Sequence, residues 1–456
     1  MAEILSETES VCPECLKRIP ALRILRGEDV TLEKDCPEHG HFSAVIWRGE
    51  PAYTTWVRPK TPSYPKNPIT EIKQGCPYDC GLCPEHRQQS CCVLLEVTQR
   101  CDLGCPVCFA DAAHNPQPDL TLCEIEAWFG RLLDAGGPFN IQLSGGEPCV
   151  RNDLPEIIRL GRSCGFTFFQ LNTNGLRLAR DSAYLAELKS AGLSTVFLQF
   201  DGTNDAIYRQ IRGRELFETK KAVIARCQEL DIGVVLVPTL VPGVNVDDIG
   251  NIIRLALAHM PTVRGVHFQP ISYFGRYPSP PSDDSRITIP EVIRAIEMQT
   301  DGIIQSGTFC PPGGENALCS FHGNFVLMPD GALIPLTRHN TSSCCCQPVP
   351  AEEGAARSRQ FVAVHWSSPT PVTALPVLGG PSLGEWDAFL DRKRTHTFCV
   401  SGMAFQDAWT LDLERLRDCY IHTASPDGRL VPFCAYNLTD RQGRSLYRYK
   451  SETHPA

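Results

Sequence analysis

Between residues 93 and 275 the chain alternates short apolar runs with stretches of helical periodicity. VLLEV (93–97), NIQLS (140–144), TFFQL (167–171), TVFLQF (195–200), GVVLVPTLV (233–241) and VHFQ (266–269) are rich in β-branched, aromatic and aliphatic residues and read as buried strands. TLCEIEAWFGRLLDA (121–135), NDLPEIIRLGRSC (152–164), AYLAELKSA (183–191), LFETKKAVIARCQEL (216–230) and DDIGNIIRLALAH (247–259) read as helices. Thr121 and Glu124 carry a capping-box signature, and Asn152 is a candidate N-cap. Six strands separated by five helices predict right-handed βαβ units on a parallel sheet. The expected fold is therefore α/β, a partial (β/α)6 barrel two units short of a complete one.

The flanks differ in pattern. Residues 1–92 show little helical periodicity and are dense in Cys, Pro and Gly, which predicts a loop-rich region held by metal. Residues 276–340 are mixed and read as an extension that contributes to an auxiliary cluster. Residues 341–395, and 347–384 most clearly, are rich in Pro, Ser and Ala and read as an insertion or linker. Residues 396–456 return to an ordered composition.

Composition narrows the class. The 456 residues include 43 Lys+Arg and 52 Asp+Glu, a formal net charge of −9. That balance, with 42% hydrophobic residues, excludes a disordered chain and a strongly basic nucleic-acid binder. No apolar run reaches the roughly 18 residues of a membrane span, and MAEILSETESVCPEC lacks the pattern of a signal peptide. A cytoplasmic location is expected, where thiols stay reduced. The 23 cysteines are thus expected to bind metal where they cluster. Isolated ones such as Cys123, Cys164 and Cys227 read as packed side chains.

The most telling cluster is LEVTQRCDLGCPVCFADA. Cys101, Cys105 and Cys108 follow a C-x3-C-x2-C spacing directly after the first strand. Loops at the C-terminal ends of parallel strands are where α/β barrels place chemistry. Three thiolates on one loop suit a 4Fe–4S cubane with one iron left open, or a zinc site completed from elsewhere. The second strand runs into SGGEP, Ser144 to Pro148, where two glycines let the backbone approach a ligand and Glu147 can pair with an ammonium group. The third runs into NTNG, with Asn172 and Asn174, and the fourth into Asp201–Gly202. All these exits share one sheet edge with the Cys loop, which favours the cluster.

Other groups lie outside this core. CPEC (Cys12, Cys15) and CPEHG (Cys36, His39) form metal knuckles suited to a tetrahedral zinc or a rubredoxin-like iron. GCPYDCGLC holds Cys76, Cys80 and Cys83 at the spacing of the Cys101 group, but neither an apolar strand nor GGEP accompanies it. An auxiliary cluster, or ligands shared with the N-terminal site, is expected there, with Cys91 and Cys92 nearby. Cys319, Cys399, Cys419 and Cys434 are dispersed and are expected to meet in one further cluster as the tail folds back. Cys310 is ambiguous, and Cys344, Cys345 and Cys346 have no physical account.

The Cys101 loop followed one strand later by GGEP resembles the radical S-adenosylmethionine (SAM) superfamily. The whole set, from CPEC…CPEHG and GCPYDCGLCPEH to LVPTLVPGVN and PDGRLVPFCAYN, resembles the group containing the archaeal tetraether-lipid synthase, or class D methyltransferase-like proteins. The resemblance implies that Cys101, Cys105 and Cys108 hold a 4Fe–4S cluster whose open iron takes SAM. Reductive cleavage then gives a 5′-deoxyadenosyl radical that abstracts hydrogen from an unactivated carbon. It implies that Val107 lies near adenine and that Gly145, Gly146 and Glu147 hold the methionine moiety. It also implies auxiliary 4Fe–4S clusters, a mononuclear rubredoxin-like iron or zinc, and a reducing partner such as ferredoxin or flavodoxin. Carbon–carbon bond formation is expected, either lipid chain coupling or methylation from a reduced pterin donor. The other readings are a peptide-modifying radical SAM enzyme and a non-catalytic metal module that binds nucleic acid.

Overall fold

The computed structural model describes residues 2–112, 118–339, 348–369 and 385–448. Cys344, Cys345 and Cys346 lie outside them. The N-terminal region departs from the expected loops. β1 (Ala2–Val11), β2 (Arg18–Arg26), β3 (Asp29–Cys36) and β4 (Gly40–Arg48) form an antiparallel meander. Along β3 buried and partly exposed residues alternate, with Val30, Leu32 and Lys34 on the covered face. That face packs on residues 404–416. Lys34 Nζ donates to Ser10 Oγ (2.9 Å) and to the Ala408 carbonyl (2.7 Å). Arg23 Nε donates to Asp412 (2.8 Å). Burial brings the Lys34 ammonium down to about 7.

After the short β5 (Lys60–Thr61), the six expected strands appear as β6 (Cys92–Thr98), β7 (Asn140–Gly145), β8 (Phe169–Thr173), β9 (Thr195–Gln199), β10 (Gly233–Val237) with its continuation β11 (Thr239–Leu240), and β12 (Val263–Pro270). Pro238 divides β10 from β11 because it has no N–H for the ladder. The Thr121–Glu124 capping box opens helix Leu122–Asp134 as expected. Helix Leu154–Ser163 starts at Asp153 rather than Asn152. No side chain caps it, since the Asp153 carboxylate is held by Arg151 at 2.6 and 2.8 Å. Helix Asp205–Arg212, capped by Asn204 and ended by Gly213, was not expected.

The sheet does not stop at six strands. β13 (Ser320–Leu327), β14 (Leu333–Pro335), β15 (Val349–Pro350), β16 (Thr397–Met403), β17 (Ile421–Ala424) and β18 (Leu430–Pro432) follow in the chain, and all but β15, which pairs with β5, join it. In space the order is β14-β13-β16-β12-β10-β9-β8-β7-β6-β17-β18. β16 is parallel to β12 and β17 is parallel to β6, so the parallel run has eight members. β13 and β18 finish the two ends as antiparallel neighbours. A continuous core that includes Trp128, Phe129, Phe169 and Leu188 fills the space between the sheet and its outer helices.

Residues 351–365, expected within a linker, form a helix, Ala351–His365. It lies across the N-terminal ends of the strands. Asn140 Nδ2, at the start of β7, donates to the Arg359 carbonyl (3.0 Å), and Trp366 stacks on Phe197 at 5.5 Å. The helix docks through a glycine: a Cβ on Gly354 would lie 1.9 Å from the Gly313 carbonyl oxygen. Gly354→Ala is therefore expected to lower stability by about 1–3 kcal/mol. Thermal unfolding should show the loss, and limited proteolysis should cut first within 351–365.

Candidate active site

The C-terminal ends of β6, β7 and β8 bring the Cys loop and SGGEP together by direct backbone bonding. Gly146 N donates to the Thr98 carbonyl (2.8 Å), and Glu147 N donates to the Arg100 carbonyl (2.9 Å). A Cβ on Gly145 would lie 2.1 Å from the Thr98 oxygen, and one on Gly146 would lie 2.2 Å from the Arg100 oxygen. Both glycines are thus demanded by the neighbouring Cys loop itself. Arg276 clamps the loop from its other side. Its Nε donates to the Cys105 carbonyl (3.0 Å), and its backbone exchanges hydrogen bonds with Cys108 at 2.9 and 3.0 Å.

Glu147 is 2% exposed. Its carboxylate accepts from Cys149 N (3.0 Å), Thr173 Oγ1 (2.7 Å) and Asn174 N (2.7 Å), so it ties the SGGEP and NTNG exits together. Burial raises its carboxyl group, and these bonds only partly offset the effect. The Asn174 side chain bonds Asp102 (2.7 Å) and the Leu176 amide (2.9 Å).

A cavity of about 580 Å³ opens beneath these loops and runs down the barrel to helix Ala351–His365. Cys101, Cys105, Cys108 and Val107 line its upper end, as do Ser144, Gly145, Gly146, Glu147, Asn172 and Asn174. Its walls are amide-rich, with Asn140, Gln142, Gln170, Asn172, Gln199 and Gln269 all lining it. Asp201 is a correction. It is fully buried, and its carboxylate is spent on Arg212 at 2.7 and 2.8 Å. Arg212, which no sequence motif marks, lines the cavity beside the Cys105 thiol.

Burial pushes the Cys101 thiol up to about 12 and raises Cys105 as well. Such thiols ionise readily only when a cation arrives with them, so the donor set fits a metal cluster. The N-terminal group fits a metal equally well. The ligand atoms of Cys12, Cys15, Cys36 and His39 lie within 4.8 Å of one another. Burial opposes ionisation of Cys36, but hydrogen bonds from His39 and the Glu38 backbone outweigh it and bring that thiol to about 6.

Cys76 is in hydrogen-bonding contact with Cys80 and Cys83, so this triple converges. Cys319, Cys419 and Cys434 lie within electrostatic reach of one another. Cys399 does not join them. Cys319 directly precedes β13, where Ser320 pairs with Met403, whereas Cys399 pairs with Asn324 four residues along. Counted from Cys319 the offset is five residues, and at about 3.4 Å per residue that places Cys399 on the order of 17 Å away. Cys399 instead lines the barrel cavity with Ser401 and Met403. Cys91 and Cys92 line the cavity too, packed with Ala355 and Tyr420.

Residues 95–256 match the family model of the radical SAM superfamily, and residues 4–48 match that of the HMPTM N-terminal zinc ribbon domain. The chain is 36% identical to the 7,8-dihydro-6-hydroxymethylpterin dimethyltransferase of Methanocaldococcus jannaschii, over 96% of this chain and 94% of that protein. The chain belongs to this radical SAM family. It is an enzyme, and its resemblance to class D methyltransferase-like proteins holds. A probable GTP 3′,8-cyclase of Methanothermobacter thermautotrophicus is 34% identical over 30% of this chain and 44% of its own length. Among solved structures, Streptococcus suis SuiB bound to precursor peptide SuiA shares 15% identity at a TM-score of 0.40, covering 48% of this chain and 47% of that one. That likeness is too remote to bear on substrate. No helix among the described residues is long and apolar enough to cross a membrane.

Two outcomes are expected. Gly146→Ala should weaken SAM binding by about fivefold to a hundredfold, because displacing the Cys loop at ~1–3 kcal/mol carries through to the ligand; equilibrium dialysis of the iron-loaded protein measures this. Replacing Cys12, Cys15 and Cys36 together with Ala should remove one metal per chain while leaving cluster iron in place, as read by elemental analysis.

Proposed function

We propose that this enzyme is a radical SAM C-methyltransferase acting on a reduced pterin. The observation that carries the reading is 36% identity to the Methanocaldococcus jannaschii pterin dimethyltransferase across nearly the whole of both chains. The cavity supports it. The Gln170, Asn172 and Gln142 side chains are bonded in a row along its wall at 2.9 and 3.4 Å, amides suited to exchange those bonds for the lactam and aminopyrimidine edge of a pterin. Helix Ala351–His365 crosses its lower end, whereas coupling of long lipid chains calls for a long apolar tunnel.

In this reading Cys101, Cys105 and Cys108 hold the SAM-binding 4Fe–4S cluster. When bound, that cluster supplies the electron that cleaves SAM to the 5′-deoxyadenosyl radical. The SGGEP backbone and Glu147 receive the methionine end, and Val107 lies toward adenine. Asn172 and the wall amides orient the substrate below, away from bulk water. Cys76, Cys80 and Cys83 hold one auxiliary cluster, and Cys319, Cys419 and Cys434 hold another. Cys12, Cys15, Cys36 and His39 hold a single zinc or iron. A low-potential ferredoxin or flavodoxin supplies electrons, and a reduced pterin carrying a methylene group supplies the one-carbon unit.

The test uses anaerobically reconstituted protein with SAM, a reductant, 7,8-dihydro-6-hydroxymethylpterin and a methylene-labelled reduced pterin. Mass spectrometry should show the pterin gaining one and then two labelled methyl groups, together with 5′-deoxyadenosine. The variant with Ala at Cys101, Cys105 and Cys108 should form neither product. An unmodified pterin alongside active SAM cleavage would sink the substrate assignment.

A further inference from the structure

A short helix, Leu413–Arg417, stands between two of the cysteine triples and sends one arginine to each. Arg415 is 7% exposed. Its Nη2 donates to Cys319 Sγ at 3.5 Å and to the Ala404 carbonyl at 3.3 Å, and its Nε has no partner among the described residues. The obvious carboxylate, Asp412, is spent elsewhere. It accepts from Arg23 (2.8 Å), Thr8 (2.9 Å) and the Glu414 amide (3.0 Å). Among the described residues Arg415 has no carboxylate ion pair.

A buried guanidinium without a counter-charge is strongly disfavoured. Among the described residues no carboxylate bonds this guanidinium directly, and an iron–sulfur cluster held by thiolates at Cys319 is an anion that would. Two residues on, the Arg417 guanidinium lies against the Cys76 thiol, with its Nε also unpartnered among the described residues. It is a quarter exposed and has Glu9 at 3.5 Å, so its charge is partly answered. At the Cys101 group, Arg212 beside Cys105 is fully answered by Asp201. The three sites thus form a graded series of arginine charge.

We infer that Arg415 is a positioning residue whose guanidinium is the counter-charge of the cluster at Cys319, Cys419 and Cys434 and holds its reduction potential up, and that Arg417 does the same more weakly at Cys76, Cys80 and Cys83. Reduction adds negative charge to a cluster. A cation hydrogen-bonded to one of its sulfurs favours the reduced form. The inference rests on the proposed reading that both triples hold clusters.

The test is a redox titration followed by electron paramagnetic resonance on full-length, anaerobically reconstituted protein, with iron and sulfide counted per chain. Arg415→Gln should keep its iron and shift one auxiliary cluster to a more negative midpoint. Arg415→Lys should fall between that variant and the unmodified protein. Arg417→Gln should shift the other auxiliary cluster, and by less. If Arg415→Gln sheds one cluster's iron while Arg415→Lys keeps it, the counter-charge role is also supported. Unshifted potentials with full iron, or equal iron loss from both Arg415 variants, overturn it. An unmodified chain that takes up only one cluster instead overturns the three-cluster reading, and this inference with it.

Discussion

A parallel sheet needs cover on both faces and a partner or blunt finish at each edge. In this molecule one late segment of the chain meets both edge requirements. β16 pairs with β12 at one side, and β17 pairs with β6 at the other. The two sides then approach each other. Ala404, after β16, donates its amide to the Cys319 carbonyl at 2.9 Å, and Asn316, before β13, bonds Asp418, before β17, at 2.9 Å. The cavity exists because this closure encloses it. The converging thiols of Cys319, Cys419 and Cys434 sit along the seam.

The upper end of the cavity shows how little freedom the chemistry is given. Glu147, the two glycines and the Cys loop are one hydrogen-bonded unit spanning the exits of three strands. Arg276, from beyond the sixth strand, locks that unit from outside. Groups fixed this way need no rearrangement when charge develops.

The central strands and helices were legible because apolar runs and periodicity are local signals. The flanking sheet was less so. β1 reads AEILSETESV, a strand with mostly polar residues and one covered face, and Cys and Pro density nearby masked its alternation. β17 has only four residues, and nothing in the composition of β16 or β17 tells which edge they join. Helix Ala351–His365 hides in a small-residue stretch whose docking depends on Gly354. At the site, Cys101 to Cys108 and GGEP were legible as adjacent motifs. Cys399 was misread because counting cysteines ignores direction; its alternation with Ser401 and Met403 marks it as an inward-facing barrel residue. Arg212, Arg276 and Arg415 had no local signature, since only tertiary folding brings each to its thiol or carbonyl.

The origin of the two edge strands has a consequence for how the molecule is made. Residues 92–270, which carry six parallel strands and their helices, are synthesised before residues 397–424. Throughout that interval β6 and β12 present bare backbone to the solvent on opposite sides. Such edges recruit other chains, so this window is when the nascent protein is most prone to misassembly. The thiols of Cys419 and Cys434 emerge after the barrel core and cannot nucleate it. Residues 397–424 can only complete a structure begun by the strands before them, which makes this later segment the one that commits the fold.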